Sequence, residues 1–472
     1  MEKLFEQAKK FLAQGKPKDA LEILKKILYE ETFSDEWKIH ELIGLAFHDL
    51  ADAQGSAQAY FNAAKTDEIL RSQRTHFSNY LFALHYLPQV NSEILFAAAK
   101  VYNSLYRDAE ILPQKNFQSE KISVAFIAPH FLDSSSARFY ESLLTSYNRE
   151  KFFVTAWSLS SDEDNFTKKI MSSVDKFFDI SEVSFAEAAE KIQAEGTDIL
   201  FDLGGHTDGG TALQILSYRP ARVQISGIGY FDTTGTDFID YFLTDRFLIS
   251  GNEEFFSEKI FELENAFAFL PSEKMKRWKD ENKIPNSSLR TPDLTFGTLN
   301  NFMKISDEYL NCVEKILEQV PNSKIIFRDT TPLESRKNFL TEKISAKKIP
   351  AERVEIFCGE DNFFADYSKI DLILDTFPYT GGLMTALALY FNVPVLNLCG
   401  EMHHSRLGAE MIHLAEVDEL IVTNADDYVK KAVELSQGDN LKNLAKKIRV
   451  DKLTDTKSFV ENFYSEVEKI FY

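Results

Sequence analysis

Apolar residues at positions 4, 5, 8, 11 and 12 (Leu4, Phe5, Ala8, Phe11, Leu12) recur at helical spacing, and Gly15-Lys16-Pro17 interrupts them. A second helical face carries Ala20, Leu24 and Ile27, which returns 37 residues later as Ala57, Phe61 and Ala64. Paired helices with small and large residues at these offsets resemble tetratricopeptide repeats, whose usual period is about 34. A generic helical bundle fits the same pattern. Helical spacing continues over 68–110, with a break near Pro88, and Glu110–Lys121 reads as a linker.

From Lys121 the period changes. Short runs rich in β-branched residues predict strands at Ile122–Ala128, Phe152–Leu159, Phe177–Asp179, Asp198–Leu203, Val223–Ile228 and Phe238–Thr244. Helical stretches lie between them, notably Phe139–Tyr147 and Phe185–Glu195. Pro271–Asn286 is polar and predicts a connection between lobes. Alternation then restarts: strand Leu294–Thr298, helix Asp307–Gln319, strand Lys324–Arg328, helix Leu333–Ile344, strand Arg353–Cys358. Next comes Asp371–Glu401, in which strand, Gly turn, helix and strand make a βαβ unit. Lys457–Tyr472 closes the chain as an amphipathic helix. The fold class is therefore α/β, with two Rossmann-like lobes after a short all-α region. The expected domains are 1–115, 121–285 and 286–472, the closing helix going with the last.

The 472 residues suit about three domains, and no apolar run is long enough to span a membrane. The N-terminal stretch lacks a signal-peptide core, and Cys312, Cys358 and Cys399 lie far apart without metal-ligand spacing. Both features predict a cytoplasmic protein with reduced thiols. A net charge of −20 argues against a nucleic-acid partner. Asp162-Glu163-Asp164 resembles an acidic metal-binding triplet but lies in a polar loop, and reads as a solvated turn.

Three stretches carry candidate chemistry. Gly381 and Gly382 open a helix after a strand, where backbone N–H groups of Leu383, Met384 and Thr385 can meet an anion such as phosphate; the same glycines serve tight packing in a plain turn. Four glycines surround His206 in the loop 204–210, which places an imidazole at a strand's carboxyl end; hydrogen bonding to backbone is the plainer use of such a residue. Lys304 follows Asn300 and Asn301 just past a strand and can reach a diphosphate, although lone lysines more often face solvent.

The ordered motifs DLGGHT, RPARVQ, GYFDTTG, TLNNFMKI, DLILDTFPYTGG and GEMHHSRLGA resemble the O-GlcNAc transferase family. That family includes bacterial SPINDLY-like members and the related adhesin glucosyltransferases. The resemblance covers about residues 75–470. It implies a metal-independent, inverting protein glycosyltransferase of GT-B type that takes a sugar from a nucleotide diphosphate, UDP-linked by expectation, without a cofactor. The acceptor would be a protein hydroxyl or Asn amide, with a surface adhesin or flagellin among the candidates. By the same resemblance Lys304 and Asn301 hold the donor with Gly381, Gly382, Leu383, Met384, Thr385 and Arg406. His206 and Asp198 are catalytic candidates, and His130 and Tyr230 line the acceptor cleft. The pattern departs at Leu383-Met384, where a Thr pair is usual, at Leu387 for a ribose-contacting Asp, at Phe363 for a base-contacting His, and at Ser134 for a His of the first lobe. Transfer to a glycan or small acceptor, and a scaffold with a degenerate cleft, are the rival readings.

Overall fold

The computed structural model describes residues 2–29, 35–114, 120–282, 294–361 and 363–472. Residues 115–119 of the expected linker and the expected boundary at 285/286 lie outside these. The described chain forms two compact units. One comprises 1–67, 83–90 and 271–453, the other 68–82, 91–270 and 454–472.

In the first unit, helices α1 (Glu2–Ala13), α2 (Pro17–Tyr29), α3 (Glu36–Asp49) and α4 (Ala53–Thr66) pack in sequence. Phe5, Ala8, Leu12, Leu24, Ile27, Ile39 and Ile43 form their shared core. Of the recurring triplet, Ala57 and Ala64 are buried, whereas Phe61 is 37% exposed. The helical region is therefore repeat-like, but its large position is not used the same way twice. Gly15, at φ +68°, makes the break that the Gly15-Lys16-Pro17 punctuation predicts.

The same unit holds a six-stranded parallel sheet in the order β10-β9-β8-β11-β12-β13. Its strands are β8 (Thr295–Thr298), β9 (Lys324–Asp329), β10 (Val354–Cys358), β11 (Leu372–Leu374), β12 (Val395–Leu398) and β13 (Ile421–Val422). Chain order reverses between β8 and β11, which pair with Phe296 opposite Leu372. Loops leaving the carboxyl ends of those two strands therefore diverge around a crevice. The polar stretch after Pro271, expected as a connection, contains a helix, Glu273–Asn282. Trp278 gives it a place to bury, its ring lying 4.8 Å from that of Phe391 and 6.1 Å from that of Phe364.

The second unit holds a seven-stranded parallel sheet, β3-β2-β1-β4-β5-β6-β7. These strands are β1 (Ile122–Ala128), β2 (Phe152–Ser158), β3 (Lys176–Asp179), β4 (Ile199–Asp202), β5 (Val223–Ser226), β6 (Tyr241–Thr244) and β7 (Lys259–Glu262). Its switch point lies between β1 and β4. Helices α5 (Leu70–Leu84, through Phe82) and α6 (Ser92–Ser104) belong to this unit. The closing helix, Thr456–Phe471, was expected with the C-terminal lobe but packs on this seven-stranded sheet. Phe463 meets the rings of Phe126, Phe201 and Phe261 at 6.2, 5.6 and 5.8 Å.

Candidate active site

The crevice at the β8/β11 switch point brings two distant loops together. The β8 loop ends in a short turn, Phe302–Lys304, capped by Asn301, whose Oδ1 accepts from Met303 N at 2.9 Å. The β11 loop runs through Asp375 to Gly381-Gly382 and the helix Leu383–Tyr390. Lys304 Nζ donates to the carbonyl of Thr380 at 2.8 Å and lies 3.6 Å from the centre of the Tyr379 ring. An ammonium thus stands beside a helix start whose first N–H groups have no intrahelical acceptor. Leu383 and Met384 are half-buried there, whereas the Thr385 hydroxyl turns inward to Asp375.

Asp375, at the carboxyl end of β11, holds this turn in shape. Its Oδ1 accepts from Gly381 N, Thr376 N and Asn300 Nδ2 at 2.9, 2.9 and 3.0 Å. Its Oδ2 accepts from Asn397 Nδ2 at 2.8 Å and Thr385 Oγ1 at 3.2 Å. The carboxylate is fully buried. Burial raises its pKa, and the hydrogen bonds together with Lys304 oppose the rise. Glycine is required above it: a Cβ on Gly381 would lie 2.5 Å from Thr385 Oγ1, and one on Gly408 2.2 Å from Asp375 Oδ2. Around Gly382 the space for a Cβ is open.

Burial pushes the Lys304 ammonium down to about 7, against the pull of Asp375. A lysine so desolvated gains most from an anion that restores its charge. Asn301 sits in the predicted loop, but its carbonyl oxygen is taken by Met303 N and by Arg336 Nη1 at 3.0 Å. Arg406 donates to the Gly400 carbonyl at 3.0 Å. Phe363 packs its ring on Phe364 and Tyr367, each at 5.6 Å, and Leu387 is fully buried.

In the second unit, His130 follows β1 and His206 follows β4, so both sit at that sheet's switch point. His130 Nδ1 accepts from Leu132 N at 3.4 Å. His206, the acid–base candidate, is held on both sides. Its ring is buried, with Nδ1 2.6 Å from Ser78 Oγ and Nε2 3.0 Å from the Thr234 carbonyl. A carbonyl only accepts, so Nε2 carries the proton, and in the neutral ring Nδ1 accepts a hydrogen bond from the Ser78 hydroxyl. Both nitrogens are engaged, tying the loop after β4 to helix α5 and to the Thr234 turn. Tyr230 is buried against His206, their rings 5.0 Å apart, and is walled by Gly205, whose Cβ would fall 2.4 Å from Tyr230 Cβ. The reading of Asp198 is corrected. It precedes β4, at the amino end of the sheet, and its carboxylate accepts from Ser123 N at 2.9 Å. Asp164 of the acidic triplet caps the helix Asn165–Ser173 and accepts from Asp133 N at 2.8 Å.

Asp375, Asn397, Tyr379, Asp329 and Arg336 escaped the sequence reading. The available signal was position: Asp329 ends β9, Asp375 follows β11 and Asn397 lies within β12. Polar residues at the carboxyl ends of buried strands face the ligand side of such sheets.

The model of glycosyl transferase family 41 matches residues 99–287 and 283–466. The chain is 26% identical over 387 residues to a probable UDP-N-acetylglucosamine–peptide N-acetylglucosaminyltransferase SPINDLY of Solanum lycopersicum, covering 79% of this chain and 41% of that protein. It is 28% identical over 375 residues to the Arabidopsis thaliana SPINDLY protein of the same description, covering 76% and 40%. The chain thus spans about two fifths of the length of these relatives. A mutant of the Thermobaculum terrenum O-GlcNAc transferase shares the fold, with a TM-score of 0.77 at 20% identity over all of this chain and 97% of that one. With both sheets inside the matched residues, the chain belongs to glycosyl transferase family 41, the family of O-GlcNAc transferases and their SPINDLY-like relatives.

Proposed function

We propose that the protein transfers a sugar from a nucleotide diphosphate to a side chain of an acceptor protein, with inversion and without a divalent metal. The observation that carries this reading is the Lys304 ammonium bonded to the Thr380 carbonyl beside the start of the helix Leu383–Tyr390. As the bond to the anomeric carbon breaks, negative charge grows on the leaving diphosphate. The ammonium and the helix N–H groups stabilise that charge without a metal ion. UDP-N-acetylglucosamine is the donor named for the relatives, and it is the first candidate here. With His206 held by Ser78 and Thr234 and Asp198 at the amino end of its central strand, away from the switch-point loops, the acceptor proton passes to an oxygen of the donor phosphate. The acceptor would be Ser, Thr or Asn of a protein, such as a surface adhesin or flagellin. The α1–α4 layer would offer it a surface.

The lost Thr pair at Leu383-Met384 and the burial of Leu387 favour relaxed reading of ribose and base. The experiment is nucleotide release from a panel of UDP- and GDP-sugars by the purified protein, with and without cell lysate as acceptor. Release dependent on protein acceptor supports the reading. Release with free sugars alone would move the acceptor to a glycan, and no release with any donor would make the chain a scaffold.

A further inference from the structure

The side chain of Arg336 is completely buried, and its guanidinium is engaged by protein acceptors. Its Nη1 donates to Asn301 Oδ1 at 3.0 Å and to Asp329 Oδ2 at 2.8 Å. Its Nη2 donates to the His48 carbonyl, in the last turn of α3, at 3.1 Å. The two acceptors bound by Nη1 are the same atoms that hold the lysine-bearing turn. Asn301 Oδ1 accepts from Met303 N, and Asp329 Oδ2 accepts from Phe302 N, both at 2.9 Å. The Lys304 backbone N–H closes the turn on the Asn301 carbonyl at 2.9 Å.

We propose that Arg336 is a positioning residue for Lys304, clamping the turn Phe302–Lys304 to the last turn of helix α3 and so making the helical layer part of the donor site. The inference rests on the reading of Lys304 as the diphosphate cation. Burying a guanidinium is costly, and a purely structural site is often served as well by an apolar side chain. Here the group also leaves Nε buried without a hydrogen bond, while its two terminal nitrogens bridge three segments of chain. A planar fork carries its donors on separate nitrogens in fixed directions, which suits acceptors on different segments better than the single nitrogen of a lysine.

The clamp reaches Lys304 from a second side. Tyr86 senses the charges of Arg336 and Asp329, and its ring packs 5.1 Å from Tyr379, the ring that carries the Lys304 ammonium. Among the described residues, Asp375 and Tyr379 lie in direct range of Lys304, Tyr86 and His404 pack on the Tyr379 ring, and Asp329 and Arg336 lie behind Tyr86. A lysine on a turn that shifts by about 1 Å loses its productive geometry, at a cost near 10²-fold in rate.

The test uses the full chain with Arg336→Lys, Arg336→Met and Asn301→Ala, folding checked by circular dichroism. Asn301→Ala leaves the buried Arg336–Asp329 pair intact and so keeps the test open where an Arg336 variant does not fold. Lys18→Ala is the control, because Lys18 joins α2 to Glu342, on the helix that bears Arg336, through an exposed ion pair. Two readouts are taken: the pH titration of the 13C-labelled Lys304 side chain by NMR, assigned with Lys304→Arg, and kcat and KM for nucleotide-sugar turnover. Folded clamp variants are expected to shift the Lys304 midpoint from about 7 towards its usual value and to lower kcat by about 10-fold or more, with Lys18→Ala unchanged. A Lys304 titration identical to wild type in the folded clamp variants would overturn the proposal. Absence of wild-type turnover would overturn the functional reading instead, and the titration would still decide the clamp.

Discussion

Raising the pH should weaken donor binding before it harms the fold. Lys304 is held at about 7 in the free protein because burial penalises its charge more than Asp375 repays it. A diphosphate reverses that balance, so donor binding takes up a proton wherever the free lysine is neutral. If only the charged form binds, the apparent KM for donor scales as one plus the ratio of neutral to charged lysine. Relative to the acid plateau, that is about 2-fold at pH 7, about 11-fold at pH 8 and about 30-fold at pH 8.5. The sugar diphosphate has no group that titrates over this range. Lys304→Arg keeps its charge throughout, so its KM should be flat, although the wider guanidinium recovers only part of kcat. Lys304→Ala should lose about 10²–10³ in kcat at every pH. The assay is steady-state nucleotide release from pH 6 to 8.5 for the three proteins. A wild-type KM that does not change with pH, or an Arg variant with the wild-type slope, would refute the assignment of Lys304 to the diphosphate. Stability runs the other way. The unfolded chain binds more protons than the folded one between about 7 and the usual lysine value, so this residue's cost to folding is full at low pH and eases as pH rises.

Asp375→Asn turns an acceptor of five hydrogen bonds into a group that must present N–H to some of them, and should cost at least about 1–3 kcal/mol, seen as a lower melting temperature. Phe463→Ala should destabilise by about 3–5 kcal/mol in denaturant titrations, because the ring is fully buried among Phe126, Phe201 and Phe261. Leu387→Asp, the residue that the family resemblance implies here, should destabilise without improving donor affinity, since the site is completely buried; tighter UDP binding by calorimetry would contradict this. Turnover should survive EDTA, because a lysine and a helix start neutralise the diphosphate; loss of activity that manganese restores would show otherwise.

Periodicity alone marked most strands and helices of both lobes, because buried parallel strands read as short apolar runs between amphipathic helices. Lys304 and the Gly381-Gly382 turn were also legible, since a lysine after a strand and a glycine pair before a helix are local signals. Their meeting was not. They lie 76 residues apart where Lys304 bonds Thr380, and only the strand order, with β8 beside β11, brings them together. The helix around Trp278 was hidden for a similar reason: its few apolar residues make sense only against Phe364 and Phe391. His206 shows the opposite failure. Its loop invites an acid–base reading, whereas packing places Ser78 and the Thr234 carbonyl on its two nitrogens, partners that the sequence does not reveal. Asp198 fails by direction, because a strand has two ends and the sequence does not say which one faces the ligand until the sheet is assembled. Arg336 and Asp375 were invisible altogether. Each is a common polar residue whose role depends on partners from other segments, so the chain determines its elements locally and its chemistry only once those elements are packed.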